Sequence, residues 1–502
     1  MTDTALWWVR NDCRLHDNPV LRAAATADRL VPVYCFDPRL YGSQQYSEHD
    51  PFQYQKTGPH RAQFQRESVA DVRATLREQN TNVLVRTGSP AEVLDELAAS
   101  VDADRILTQR LPDPEALETE DAVRERVEPD TTVESRWIHT LYHIDDLPTP
   151  PADIDDTYTP FRKHVEANSA VRPTVEPPAL PPLPADVGDD IAVGELPSLT
   201  DLDLSLSTPS ADERAFLEFS GGETAAKQRV QEYIWEEDKL RAYKKTRNGL
   251  LGADYSSKLS AWLAAGCLSP RYIFEEVERY ETERVANDST YWLIFELIWR
   301  DFFQFQVAKY GGQFFARGGL QERDDIDWRD PSPEHNETVP SGALTAEQAF
   351  ERWKRGETGI PFVDANMREL NTTGYLSNRG RQNVASFLVN NLRIDWRDGA
   401  AYFETQLVDY DPCSNYGNWA YIAGVGNDSR DRFFDIDWQA NRYDAEAEYV
   451  THWLPELNGL PPEHAHAPWT MTPDEQADYG VELGVDYPKP MVSLAASTDH
   501  LE

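Results

Sequence analysis

Cysteine is scarce in this 502-residue chain: Cys13, Cys35, Cys267 and Cys413 lie far apart and form no C-x-x-C. That spacing implies neither a zinc ribbon nor a disulfide framework and fits free thiols in a reducing compartment. Long apolar runs are missing too, since no uncharged stretch approaches the roughly 18 residues a membrane span needs. The opening "MTDTALWWVRND" has neither a basic n-region nor a small-residue cleavage site, so the expected location is cytoplasmic, without a membrane partner. Lysine supplies ten of the 48 basic residues, and 87 acidic residues bring the formal net charge to -39. Such a surface repels itself in dilute buffer but is screened where the Debye length falls to about 3 Å, near 1 M salt, so a halophilic host is expected.

A G-x-G-x-x-G after the first strand is also lacking; "RNDCRLHDNP" stands there, which removes the standard dinucleotide fingerprint. What is present over residues 4 to 137 is alternation. "ALWWVR", "RLVPVYCFD", "NVLVRTG", "RILTQR" and "TTVESRW" read as strands, separated by helical "HRAQFQRESVADVRATLREQ", "SPAEVLDELAASV" and "DPEALETEDAVRERV". This predicts a doubly wound parallel α/β domain over 1–170. Eight prolines between 171 and 210 predict an extended linker over 171–211. An all-α domain is expected over 212–470, and a loose polar tail over 471–502. No internal repeat is visible.

Several segments carry chemistry. "STYWLIFELIWRDFFQFQVAKYG" is apolar almost all round, yet holds Glu296 and Arg300 four residues apart, with Trp292 and Trp299 on the same face. A buried ion pair in a helical core and a ligand-binding pair both fit that pattern. "NRGRQN" puts Asn378, Arg381 and Gln382 on one face near a helix start, which is either an anion or amide site or a solvated basic turn. "DYSSKLS" clusters hydroxyls suited to a pyrophosphate, or to simple capping.

Taken together, "RNGLLGADYSSKLSAWLAAGCLSPR", "YWLIFELIWRDFF", "VDANMRELNTTGYLSNRGRQNVASFLVNNLRIDW" and "DYDPCSNYGNWAYIAGVGNDSR" resemble the flavin domain of the photolyase and cryptochrome family, closest to its DASH branch. "WWVRNDCRLHDNPVL", "HTLYHIDDLP" and "YTPFRKHVE" resemble that family's α/β domain, and the similarity runs to about residue 458. The resemblance implies FAD folded into a U. Ser256, Ser257, Lys258, Leu259 and Ser260 would lie at its phosphates, with Tyr243, Arg300, Asn378 and Tyr410 around it. Arg381 and Asp409 would pair beside the ring, and Asp411 would be the acidic contact. Asn415 would face the central ring nitrogen, where an amide suits a reduced flavin because it offers no ready proton.

The resemblance also implies an electron path through Trp419, Trp396 and Trp328, with Trp353 as another reading of the outer position. It implies a substrate pocket of Glu296, Trp299, Asn378, Arg379, Gln382 and Tyr421. The expected activity is photolyase-like: a blue-light flavoprotein lyase that binds DNA and repairs cyclobutane pyrimidine dimers by photoinduced electron transfer. Tyr421 and Gln382 replace larger residues of duplex-active photolyases, which favours single-stranded DNA. The basic run "KLRAYKKTR" is a candidate phosphate track. The alternative is a photoreceptor that regulates a partner or DNA without repair. An iron-sulfur branch needs four clustered cysteines, and these are scattered. The antenna is expected to be methenyltetrahydrofolate, with a deazaflavin as the other choice, and the protein is expected to be monomeric.

Overall fold

A computed structural model describes residues 2–42, 54–127, 129–204, 212–332, 335, 337–339, 342–428 and 433–497. Strands β1 Thr4–Val9, β2 Arg29–Phe36, β3 Leu84–Thr87, β4 Arg105–Gln109 and β5 Thr132–Arg136 form one parallel sheet in the order 3-2-1-4-5. The strand and helix expectations for this region hold. β1 is buried along its whole length, as a near-continuous apolar run in a two-faced parallel sheet must be. Its odd residues Ala5, Trp7 and Val9 face a core shared with the helical domain, while Leu6 and Trp8 face a smaller core under the opposite helices. Around the sheet lie α1 Pro19–Ala24, α2 Pro59–Glu78, α3 Pro90–Val101 and α4 Pro114–Val127, while α5 Tyr158–Asn168 packs on the helical domain. The first four begin at proline, whose fixed φ and missing N–H suit that position.

The linker is extended but tied down. Val85 of edge strand β3 donates to Val193 O at 2.8 Å, and Arg73 to Gly194 O at 2.7 Å. Gly194 has φ +82°, and a Cβ there would stand 2.1 Å from Val85 O, so this close approach requires glycine. Residues 205–211 of the expected linker lie outside the described residues.

The second domain comprises α6 Glu223–Val230, α7 Tyr243–Thr246, α8 Ser260–Ala264, α9 Pro270–Glu283, α10 Asp288–Tyr310, α11 Ala346–Arg355, α12 Pro361–Thr373, α13 Asn378–Ser386, α14 Trp396–Gln406 and α15 Pro412–Ile422. Short helices α16 Ile436–Tyr443, α17 Glu448–Trp453, α18 Pro462–His466 and α19 Pro473–Tyr479 complete it. α10 is its central rod, opened by a capping box in which Asn287 and Thr290 satisfy each other's backbone N–H. Polar contacts also join the domains: Arg271 forks onto buried Asp17 at 2.6 and 2.9 Å, and Asp301 of α10 accepts from Leu141 N and Tyr142 N.

The expected loose tail is a correction. Met471, Val481 and Tyr487 are buried, and the Tyr487 hydroxyl donates to the buried Asp364 of α12 at 2.5 Å. The segment packs because it supplies a donor to that carboxylate, a long-range pairing with no local sequence signal. Its last five residues, 498–502, lie outside the described residues.

Candidate functional site

A cavity of about 590 Å³ opens in the helical domain between the loop ahead of α8, the face of α10, the start of α13 and the whole of α15. It is lined by Tyr243, Ser256, Ser257, Lys258, Leu259, Ser260, Arg300, Asn378, Arg381, Asp409, Tyr410, Asp411 and Asn415, together with Glu296, Trp299, Gln382, Trp419 and Tyr421. Residues drawn from five separated segments thus meet around one space of ligand size.

The hydroxyl loop turns through Lys258, which sits at φ +54°, a backbone state uncommon outside glycine. The Lys258 ammonium donates to Gly252 O at 3.1 Å and lies 4.5 Å from the Tyr255 ring, and burial lowers its pKa to about 8. Ser260 Oγ donates to Asp409 Oδ2 at 2.6 Å, and Arg381 Nη2 donates to both Asp409 oxygens at 2.9 and 2.8 Å. One carboxylate therefore locks the loop to α13. Burial works against the Arg381 charge, but Asp409 more than offsets it and holds the guanidinium pKa above its ordinary value.

The stretch "DYDPCSNYGNWAY" divides its labour. Asp411 caps α15 by accepting from Ser414 N at 2.7 Å, and its other oxygen accepts from Gln304 Nε2 at 2.7 Å. Asn415 donates its amide to Ala400 O at 3.0 Å, which leaves Oδ1 as its remaining polar atom beside the cavity. Trp419 is buried against α14, where a Cβ on Gly399 would fall 2.3 Å from its ring.

On α10, Glu296 Oε1 meets Arg247 Nη1 at 2.7 Å and Trp292 Nε1 at 3.1 Å. Burial raises the Glu296 pKa, and Arg247 partly counters it. Arg247 belongs to the basic run, and its pairing with Glu296 was not legible in the sequence. Arg300 shares the cavity wall, but its guanidinium donates to the carbonyls of His139, which follows β5, and Leu263 of α8. Arg379 does not line the cavity: it packs over the Tyr443 ring at 4.5 Å and donates to Asn248 Oδ1 at 3.3 Å.

Trp396, Trp328 and Trp353 lie outside the cavity lining. Trp396 is fully buried and donates to Arg317 O at 3.0 Å, while Arg317 Nη2 reaches Trp328 O at 3.3 Å, so one residue ties the pair together. Trp353 has no exposed surface and packs edge-on against Trp419 at 6.3 Å, an inward position rather than an outer one.

A second cavity, about 220 Å³, sits between the domains. Arg10, Tyr34, Asp37, Arg61, Asp113, Glu115 and Tyr416 are among its walls. It lies outside the carboxyl ends of β1 and β4, where the strand order reverses, the usual ligand position of such a sheet. Sequence reasoning named the fold feature but not this lining. Among the described residues no group of His, Cys, Asp or Glu could hold a metal, and no helix is long and apolar enough to cross a membrane.

Known proteins agree with this architecture. The family described as the FAD binding domain of DNA photolyase matches residues 292–501, and that described as DNA photolyase matches residues 5–184. Cryptochrome DASH of Natronomonas pharaonis is 56% identical over 497 residues, covering 98% of this chain and 99% of that protein. The Gloeobacter violaceus protein of the same name is 50% identical over 500 residues, covering 99% and 94%. The solved structure of a Synechocystis sp. cryptochrome superposes with a TM-score of 0.89 at 44% identity, covering 99% of this chain and 98% of that one. A class III photolyase from Agrobacterium tumefaciens gives 0.82 at 27% identity, covering 100% and 96%. With a five-stranded parallel domain, a helical FAD-binding domain and relatives that match it end to end, the chain belongs to the photolyase and cryptochrome family, in its cryptochrome DASH branch.

Proposed function

We propose that the protein is a light-dependent lyase that splits cyclobutane pyrimidine dimers, with single-stranded DNA as preferred substrate. The observation that carries this reading is the convergence of Glu296, Trp299 and Asn415 on one cavity whose far wall is a hydroxyl loop locked by the Arg381–Asp409 pair. The residues fit FAD: Ser256 and Ser257 offer donors to phosphates, Ser260 is held to Asp409 at the edge of the same loop, and the Arg381 guanidinium stands beside it. FAD held there would supply the light-driven one-electron chemistry that the splitting of a dimer requires. Trp299 stacks on the extruded pyrimidine, and the carboxyl of Glu296, in its protonated form, donates a hydrogen bond to its polar edge and stabilises the negative charge that develops there. Tyr421 and Gln382 give a modest stacking surface, which suffices for a strand that needs no unpairing. Trp419, Trp396 and Trp328 carry electrons inward when the flavin is oxidised. The interdomain cavity holds the antenna, a folate or a deazaflavin. The protein acts as a cytoplasmic monomer.

The test is the holoprotein's absorption spectrum in molar salt, followed by dimer cleavage in a single-stranded oligonucleotide with and without blue light. Cleavage in light alone supports the reading. Bound, reducible FAD without cleavage favours the photoreceptor alternative.

A further inference from the structure

Trp299, the stacking wall of the cavity, is backed by a residue from the far side of the linker. Tyr158, the first residue of α5, lies face to face with it, ring centroids 3.6 Å apart and planes 8° from parallel. The Tyr158 hydroxyl donates to Phe295 O at 2.8 Å, one turn before Trp299 on α10, so both ends of the side chain are fixed to the same helix. Phe295 and Phe302 close on the Tyr158 ring edge-on, at 5.1 and 5.8 Å. Two isolated rings prefer an offset or edge-on arrangement to a direct sandwich. The hydroxyl bond and the two edge-on rings therefore hold this pair in register.

The other aromatic neighbours of Trp299 meet it edge-on or tilted: Phe302 at 85°, Phe303 at 34° and Tyr421 at 79°. Among the described residues Tyr158 is thus the parallel partner of Trp299. One indole face is covered, and Trp299 and Tyr158 both line the cavity.

We propose that Tyr158 is a positioning residue for dimer recognition: by covering one face of Trp299 it leaves a single face, at a fixed depth, for the flipped-out pyrimidine. The inference rests on reading the cavity as a dimer site. Discrimination between damaged and intact strands then depends on the ring of Tyr158, whereas general strand affinity, which comes from phosphate contacts, does not.

The experiment uses FAD-loaded protein carrying Tyr158→Leu, Tyr158→Met, which fills the volume without a flat ring, or Tyr158→Phe. Binding of a fluorescein-labelled single strand, with or without one thymine dimer, is measured in the dark at one fixed salt concentration, beside the flavin spectrum of each sample. Tyr158→Leu and Tyr158→Met should lose about tenfold in dimer affinity, keep their affinity for the intact strand and keep their flavin spectrum; Tyr158→Phe should stay within about twofold of wild type. Unchanged dimer affinity in Tyr158→Met, or equal losses on both strands, overturns the proposal, as does a loss in Tyr158→Phe as large as that in Tyr158→Met. A wild-type protein that does not distinguish the two strands overturns the dimer reading of the cavity and this inference with it, and so separates the two failures.

Discussion

The guanidinium of Arg247 and the indole of Trp292 converge on the same oxygen of Glu296, at 2.7 and 3.1 Å, so Oε1 is clamped while Oε2 keeps no donor among the described residues. Burial pushes the carboxyl pKa up and Arg247 pushes it down. Removing the cation leaves only the Trp292 hydrogen bond against burial, so Arg247→Gln should move the Glu296 titration to higher pH. The midpoint of the pH profile of light-dependent repair should rise with it, and Glu296→Gln should erase that titration. An unmoved midpoint in Arg247→Gln would place the titrating group elsewhere. Glu296→Ala should lower repair roughly a hundredfold, the usual cost of losing one preorganised hydrogen-bonding group at a site of developing charge.

Photoreduction should depend on Trp419. Trp419→Phe should abolish light-driven reduction of oxidised FAD on the time scale on which wild type completes it, with the flavin spectrum unchanged; a wild-type rate would show that electrons enter by another route. Gly399→Ala tests the packing that holds the ring. A methyl group 2.3 Å from the Trp419 ring and 2.6 Å from Leu388 Cδ2 forces both to move, at a cost of about 1–3 kcal/mol in denaturant melts.

Much of the large cavity was legible in the sequence because its contributions come in short motifs. Ser256–Ser260, Asn378 with Arg381 and Gln382, and Asp409 through Trp419 each fall on one loop or one helix face, so spacing and resemblance place them together. The five strands were legible for a similar reason, since each is a compact apolar run. Contacts that join distant segments were not. Nothing local to Tyr158 signals a partner at Trp299, nothing in "KLRAYKKTR" says that Arg247 turns onto Glu296, and nothing in "NRGRQN" says that Arg379 packs over Tyr443. Arg300 shares the Glu296 face as the four-residue spacing predicts, yet its donors serve the carbonyls of His139 and, on α8, Leu263, which only tertiary packing brings near.

The C-terminal segment should contribute stability. Asp364 is fully buried and accepts from Thr358 N, Thr358 Oγ1, Gly359 N and the Tyr487 hydroxyl. Tyr487→Phe leaves this carboxylate one donor short and should cost about 1–3 kcal/mol in denaturant melts. No loss would mean that the segment rests on the domain without stabilising it.

Salt should matter as much as any side chain. With a net charge of -39, self-repulsion is large in dilute buffer and is screened when the Debye length contracts to about 3 Å. Thermal melts should therefore rise steeply between about 0.1 M and 2 M potassium chloride, and a flat response would contradict the expectation of a high-salt host.

The most direct test is a flash titration of the pre-reduced holoprotein against one thymine dimer in a single strand and in perfect duplex, at one salt concentration, scoring dimers split per absorbed photon. Unpairing a duplex costs a few kcal/mol that the single strand does not incur, and about 1.4 kcal/mol is a factor of ten. The account predicts light-dependent splitting in the single strand, at least about tenfold faster than in duplex under subsaturating conditions. Reduced FAD that absorbs each flash while dimers in both strands stay intact would contradict it.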